Sequence, residues 1–185
     1  MDSADTDLDI LRRVGRGDHD ALGTLASRYE AGLLGLALGL LNGRRDLAAD
    51  AVQDCWLRVL RSADRFEARS GVKAWLYRIL INRCHDLRER AAFNPPASFS
   101  NNGQRTPAPD DSLADRERLD ALRRAVDDLT PEHRLLVLLC YHAGMTHEHA
   151  AEALGIPVGT LKSRLHTALT SLRQRLDAPA KGGTS

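Results

Sequence analysis

THEHAAEALGIPVGTLKSRLHTALTSL, residues 146–172, is the stretch that decides the fold of the C-terminal half. A short helical run carries the small residues Ala150 and Ala151, Gly155 ends it, and a longer helix begins just past Pro157; this is the layout of a helix-turn-helix. Ala151 permits a close helix crossing. In the longer helix Leu161, Leu165, Ala168, Leu169, Leu172 and Leu176 recur at three- and four-residue steps, which predicts the buried stripe. Thr160, Lys162, Ser163, Arg164, His166 and Thr167 then face outward, a set of hydroxyls and cations suited to a major groove. From Ala153 to Leu176 there are four Lys or Arg and no Asp or Glu. The 185-residue chain as a whole sets 26 basic against 25 acidic residues, a net charge of +1. Whole-molecule charge therefore supplies no long-range pull on nucleic acid, and any DNA binding must be local. Since each neutralised phosphate contributes a log–log salt slope of only about −0.9, four cations hold duplex weakly and a larger platform is implied.

Working outward, Gly144 is a natural stop, Met145-Thr146-His147 starts the short helix, and residues 135–140 are deeply apolar. Before them, Thr130-Pro131-Glu132 sets a capping hydroxyl ahead of a proline at the first helical position. A helix near residues 113–129 opens this half. Residues 94–112, NPPASFSNNGQRTPAPDDS, have no helical or strand period and read as a flexible linker.

On the N-terminal side Asp18 predicts a cap for a helix with Leu22, Leu25, Tyr29, Leu33, Leu36 and Leu40 on one stripe, and Asp46 a cap for the next. In that next helix Val52, Cys55, Trp56 and Val59 form an apolar stripe, while Asp50, Gln53, Asp54, Leu57, Arg58 and Arg61 share the other side. A third helix, from about residue 72 to 90, buries Val72, Leu76, Ile79, Leu80 and Leu87 and sets Trp75, Arg78 and Asn82 beside one another. Residues 73–90 carry a net +3. The fold class expected is all-α: two small helical domains, 1–93 and 113–176, joined by the linker at 94–112 and followed by a short tail, 177–185.

Several functions are disfavoured. No run of about 18 apolar residues exists, and Met1-Asp2-Ser3-Ala4-Asp5 is acidic where a secretory leader would be basic; a cytosolic protein without membrane insertion is expected. Cys55, Cys84 and Cys140 are an odd number without a CxxC pair, unlike a disulfide framework or a thiolate zinc knuckle. His147-Glu148-His149 is not HExxH, no phosphate-binding glycine loop is present, and no nucleophile sits beside a recognisable base, so neither enzymatic activity nor a cofactor is expected. Cys140, His142, His147 and His149, with Cys84 and His85 elsewhere, prompt a metal or redox sensor as an addition to DNA binding. His147 and His149 point to different faces, and surface or core roles are the better account. An independent dimeric helix-turn-helix regulator is the other alternative; it leaves the Asp50, Gln53 and Asp54 face without a role.

Three runs together resemble one family: RRDLAADAVQDCWLRVLRSADRF (44–66), VKAWLYRILINRCHDLRER (72–90) and LTPEHRLLVLLCYHAGMTHEHAAEALGIPVGTLKSRLHTALTSLRQRL (129–176). In order and spacing they are similar to the extracytoplasmic-function (ECF) sigma factors, the bacterial RNA polymerase promoter-specificity subunits. The resemblance implies that residues 1–93 are sigma region 2 and residues 113–176 sigma region 4. It implies that Asp50, Gln53, Asp54 and Arg58 contact core RNA polymerase, the first three through the β′ coiled-coil; Asp54 stands where glutamate is usual and Ala49 where a second acid is frequent. It also implies that Trp75, Arg78 and Asn82 serve the minus-ten element, with Arg69, Ser70 and Lys73 lining a loop that captures an unstacked non-template base. Thr160, Lys162, Ser163, Arg164 and His166 match the helix that reads the minus-35 element, while Arg173 and Arg175 fit phosphate contacts or solvated positions. The linker would thread through polymerase and tether two weak anchors into one strong one. Core polymerase, including its β subunit, promoter DNA and an anti-sigma factor are the partners implied.

Overall fold

A computed structural model describes residues 6–68, 70–93 and 113–177. Every regular element among them is helical: α1 (Asp7–Gly15), α2 (His19–Leu40), α3 (Arg45–Ser62), a 3-10 turn (Ala63–Arg65), α4 (Val72–Phe93), α5 (Leu113–Asp127), α6 (Pro131–Val137), a π-helical turn (Leu138–His142), α7 (His147–Leu154) and α8 (Val158–Asp177). The all-α reading with two helical domains holds. Helix α1, an element additional to those expected from the sequence, is capped by the Thr6 hydroxyl accepting from the Asp9 N–H and buries Ile10, Leu11 and Val14. Its Asp7 accepts from the Tyr29 hydroxyl and, at 2.8 Å, from Arg28 Nη1, which fixes α1 to α2.

The caps explain most boundaries. Asp18 accepts from the Ala21 N–H at 3.0 Å and Thr130 from the His133 N–H at 3.3 Å, satisfying orphan donors at two helix starts. The Asp18 carboxyl is held below the usual carboxylate range first by that Ala21 bond and then by Arg13. Asp46 is a correction: the cap position of α3 is Arg44, which makes no side-chain cap bond, and Asp46 lies in the first turn. It pairs there with Arg44 Nη2 at 3.1 Å, an interaction that lowers its pKa and suits the positive end of the helix dipole.

Helices α1 to α4 form the N-terminal bundle, with Leu25, Leu33, Leu36, Cys55, Val59, Leu76, Tyr77, Leu80 and Cys84 in its interior. Burial pushes the thiols of Cys55 and Cys84, and the Tyr77 hydroxyl, up to about 12, because a charge there would be desolvated. Ile79, expected in the core, is only half-buried, and Tyr77, Ile81 and Cys84 take the interior positions. The C-terminal unit packs α6 against α8 and α7 against α8 around Leu136, Leu139, Ala150, Leu161 and Leu165. Leu176 is a second correction: at 45% exposure it lies one turn beyond Leu172, the last buried residue of α8. The two domains do not stand apart. Their buried residues form one hydrophobic cluster, with α4 against α7 and α2 against the π-helical turn.

Candidate nucleic-acid interface

Three surfaces carry the residues singled out above. The first is α8. Gly155 adopts the left-handed conformation, φ +66°, that ends α7, and its N–H reaches the carbonyls of Ala151 and Glu152. Thr146 caps the start of α7 through the His149 N–H at 3.2 Å. Buried Ala150, Ala151 and Ala153 let α7 cross close to α8, and Leu161, Leu165, Ala168 and Leu172 anchor α8 inward. Lys162, Ser163, Arg164 and His166 are exposed on the far side and Thr160 is half-buried at its start. The charge on this helix is less free than the sequence count implied. Arg164 pairs with Glu132 of α6, Arg173 with Asp177 at 3.5 Å, and Arg175 with Asp128 at 3.5 Å. The Glu148 carboxyl is held below its ordinary range by its own backbone N–H and the Thr146 hydroxyl, with a smaller contribution from Lys162.

The second surface is the N-terminal half of α4. Trp75 is half-buried and packs on Phe66, ring centroids 5.0 Å apart and tilted by 55°. That contact ties the start of α4 to the loop preceding it. Ser70 is half-buried beside it, Asn82 is exposed one helical turn beyond Arg78, and Arg69 lies outside the described residues. Lys73 and Arg78, expected to face a nucleic-acid strand, are occupied within the chain. Lys73 Nζ donates to the Ala143 carbonyl at 2.9 Å and the Gly144 carbonyl at 3.2 Å, and sits 5.9 Å from the Tyr77 ring centre. Arg78 donates to the Ala153 carbonyl at 3.1 Å through Nε and to the Glu152 carbonyl through Nη2.

The third surface is α3. Asp50 and Gln53 are exposed, as expected of a docking face. Asp54 and Arg58 turn partly toward α4: Asp54 meets Arg83 Nε at 2.6 Å and Arg58 lies 4.0 Å from Asp86. Alongside runs a groove of about 320 Å³ between α2 and α3, lined by Glu30, Leu34, Val52, Gln53, Trp56, Leu57 and Leu60. Leu34, Leu57 and Leu60 are 37–41% exposed, and the buried Trp56 Nε1–H has no hydrogen-bond partner among the described residues. Trp56, expected in the core, is half-buried and lines this groove, and Leu34 and Leu60 join it from outside the expected stripes. The signal available was Leu57 and Leu60 continuing the Gln53 face four and seven residues on, apolar where a solvated face would be polar.

The Cys and His residues do not converge. Among the described residues no group of three or more His, Cys, Asp or Glu is placed to hold a metal ion. Cys55 and Cys84 are buried, and Cys140 is half-buried with its thiol pKa raised by that burial. Among the same residues no helix is long and apolar enough to cross a membrane.

Comparison with known proteins follows the same division. Residues 25–93 match the family model for sigma-70 region 2 and residues 125–174 that for sigma-70 region 4. The ECF RNA polymerase sigma-E factor of Haemophilus influenzae is 27% identical over 193 residues, covering 92% of this chain and 95% of that protein. Its Escherichia coli K12 counterpart is 25% identical over 182 residues, with 92% and 94% covered. The ECF RNA polymerase sigma factor SigE of Mycolicibacterium smegmatis is 32% identical over 140 residues; the match takes in 74% of this chain, which spans about half, 54%, of that relative. Among solved structures, the sigma factor RpoE of Bartonella quintana, in complex with the anti-sigma factor NepR, superposes with a TM-score of 0.68 at 28% identity, covering 85% of this chain and 98% of that one. CnrH in complex with the cytosolic domain of CnrY shares the fold, with a TM-score of 0.72 at 24% identity, covering 95% and 100%.

Proposed function

The chain belongs to the extracytoplasmic-function sigma factors, subunits that act with RNA polymerase in transcription initiation, and we propose that it selects promoters through two elements and assists their melting. The observation that carries the reading is the match, in one chain and in family order, of an N-terminal helical bundle to sigma-70 region 2 and a C-terminal helix-turn-helix to sigma-70 region 4.

Core polymerase docks on the α3 face through Asp50, Gln53, Asp54 and Arg58, with the apolar floor of the adjacent groove adding buried area that charges alone do not supply. Asp50 and Gln53 are free to meet the β′ coiled-coil directly. Asp54 is held by Arg83 and orients the face more than it reaches out. The minus-35 element is read by α8. Its N-terminal turn and Lys162 fix the phosphate register, while Ser163, Arg164 and His166 approach base edges, each good pairing discriminating by about 1–3 kcal/mol. Arg164 must first leave Glu132.

The minus-ten element is engaged at α4 and its preceding loop. Arg69, Ser70 and Lys73 line the pocket for a base taken out of the stack, and Trp75, Arg78 and Asn82 hold the strand, with unstacking costing a few kcal/mol offset by stacking and phosphate contacts. The polymerase performs the chemistry, on DNA in the bacterial cytoplasm, and this chain supplies selection and strand capture without a cofactor. An anti-sigma protein that covers the α2/α3 groove is the regulatory partner; two related folds are held by such a protein or by a partner's cytosolic domain.

The test is transcription in vitro by core polymerase with this chain on fragmented genomic DNA, sequencing the 5′ ends. Start sites that share two motifs about two helical turns apart support the reading. Start sites identical to those of core alone, or failure of the chain to bind core, overturn it.

A further inference from the structure

Resting on that reading, we propose that Lys162 is a modification site, acylated by an acyl phosphate, and that loss of its charge weakens recognition of the minus-35 element. Three of the 26 basic residues are lysines, Lys73, Lys162 and Lys181, and the others are arginines. A guanidinium stays protonated and offers no nucleophile, whereas an ε-amine that has shed its proton attacks a carbonyl. Side-chain amine chemistry on this chain is therefore confined to three positions. Lys181 lies outside the described residues. Lys73 is half-buried, and its Nζ donates to the Ala143 carbonyl at 2.9 Å and the Gly144 carbonyl at 3.2 Å, which occupies the nitrogen. Lys162 is the one exposed lysine among the described residues, and it stands on the outward face of α8.

The surroundings favour a donor that carries a phosphate. From Ala153 to Leu176 there are four Lys or Arg and no Asp or Glu. The local field that draws a DNA phosphate draws the dianionic end of an acyl phosphate in the same way and brings its carbonyl to the amine. The ε-ammonium first gives one proton to water. The nitrogen lone pair then forms an N–C bond to the acyl carbon, the C–O bond to phosphate breaks, and the second proton leaves with hydrogen phosphate. Nothing is oxidised or reduced, and a neutral amide replaces the cation. Glu148, in the first turn of α7, amplifies the loss. Its own backbone N–H, the Thr146 hydroxyl and, more weakly, Lys162 hold its carboxyl in the charged form. With Lys162 neutral, that carboxylate repels DNA phosphates unopposed.

The full chain is incubated with acetyl phosphate and, separately, with p-nitrophenyl acetate, an uncharged donor, and peptide mass spectrometry reads the rate at each lysine. Exposure alone gives one ratio of Lys162 to Lys73 acetylation with both reagents. A ratio several-fold higher with acetyl phosphate is expected, and core polymerase with excess promoter duplex should protect Lys162. Binding is then measured in holoenzyme, on a duplex that the untreated wild-type holoenzyme selects from a random library. The acetylated protein should bind at least about eightfold more weakly at 0.1 M salt, with a log–log salt slope smaller by about 0.9 and a deficit that fades near 1 M. Lys162→Gln should reproduce the deficit, and adding Glu148→Gln should recover part of it. In Lys162→Arg, treatment with acetyl phosphate should leave binding where it stood before treatment. Circular dichroism confirms that each variant keeps its helix. Equal ratios with the two donors, acetylation of Lys162 without loss of binding, or a loss that persists in treated Lys162→Arg overturns the proposal. Should acetylation fall on Lys162 as described while untreated holoenzyme selects no duplex, the sigma reading fails and the modification site stands.

Discussion

Releasing Arg164 from Glu132 provides a direct test of how α8 reads duplex DNA. The two side chains are 45% and 58% exposed, so the pair lies in high dielectric and is worth about 0.2–1 kcal/mol. Binding to a phosphate or a guanine requires Arg164 to give that up. In holoenzyme, Glu132→Gln is therefore expected to tighten binding to a minus-35 duplex by about 1.4- to 5-fold at 0.1 M salt, and removal of a carboxylate facing the phosphates acts in the same direction. The duplex is one selected by wild-type holoenzyme from a random library, and fluorescence anisotropy reads the affinity. Arg164→Ala is expected to weaken the same binding by about 1–3 kcal/mol if it contacts a base. The decisive measurement is the double variant: with Arg164 absent, Glu132→Gln should change affinity by less than about 1.5-fold, leaving a coupling free energy of up to about 1 kcal/mol. An equal gain in both backgrounds would refute the reasoning, because the carboxylate would then act through the general field and not by holding Arg164. Weaker binding by Glu132→Gln would refute it in the opposite sense, making the pair a positioning contact. Glu132 lies in the first turn of α6, so thermal melting of each variant separates a folding effect from a binding one.

Gly32→Ala should destabilise the protein by about 1–2 kcal/mol in urea melts, since the new Cβ would lie 2.5 Å from the Tyr77 hydroxyl and overpacking outweighs the helix-propensity gain of alanine. With Tyr77→Phe present the nearest atom becomes the ring carbon at 3.8 Å, and the same substitution should stabilise by about 0.5–1 kcal/mol. Thiol labelling of the native chain at pH 8 should modify Cys140 first, with Cys55 and Cys84, pushed up to about 12, reacting only on unfolding. For pH the sign is fixed by those same groups and Tyr77: their folded pKa values lie above the unfolded ones, so their contribution is fully present below about pH 9 and is lost as pH rises toward 12. Alkaline denaturation monitored by circular dichroism should follow that window. Gln53→Ala should weaken core binding without changing the melting temperature, whereas Asp54→Asn should lower it, because Arg83, 15% exposed, loses its 2.6 Å partner.

Sequence alone was sufficient wherever the information is local. The caps at Asp18, Thr130 and Thr146, the stop at Gly155 and the leucine stripe of α8 through Leu172 depend on neighbours three or four residues away, and the period of the chain reports them. Order and spacing of the three conspicuous runs carried the family as well. What the chain could not announce are contacts made across large separations in sequence. Asp46 has the chemistry of a cap and yet Arg44 takes the position. Leu176 continues the stripe one turn beyond Leu172, the last residue of α8 to be buried. The four cations of α8 look free in the linear text, but Arg164 and Arg175 meet carboxylates at positions 132 and 128, on elements folded back against that helix. The same holds for Lys73 and Arg78, whose carbonyl partners lie 70 and 75 residues away. Residue identity and helical period set which side chains share a face. Only the packing of one face on another determines which of them remain available, because hydrogen bonding and desolvation depend on distance in space and are blind to distance along the chain.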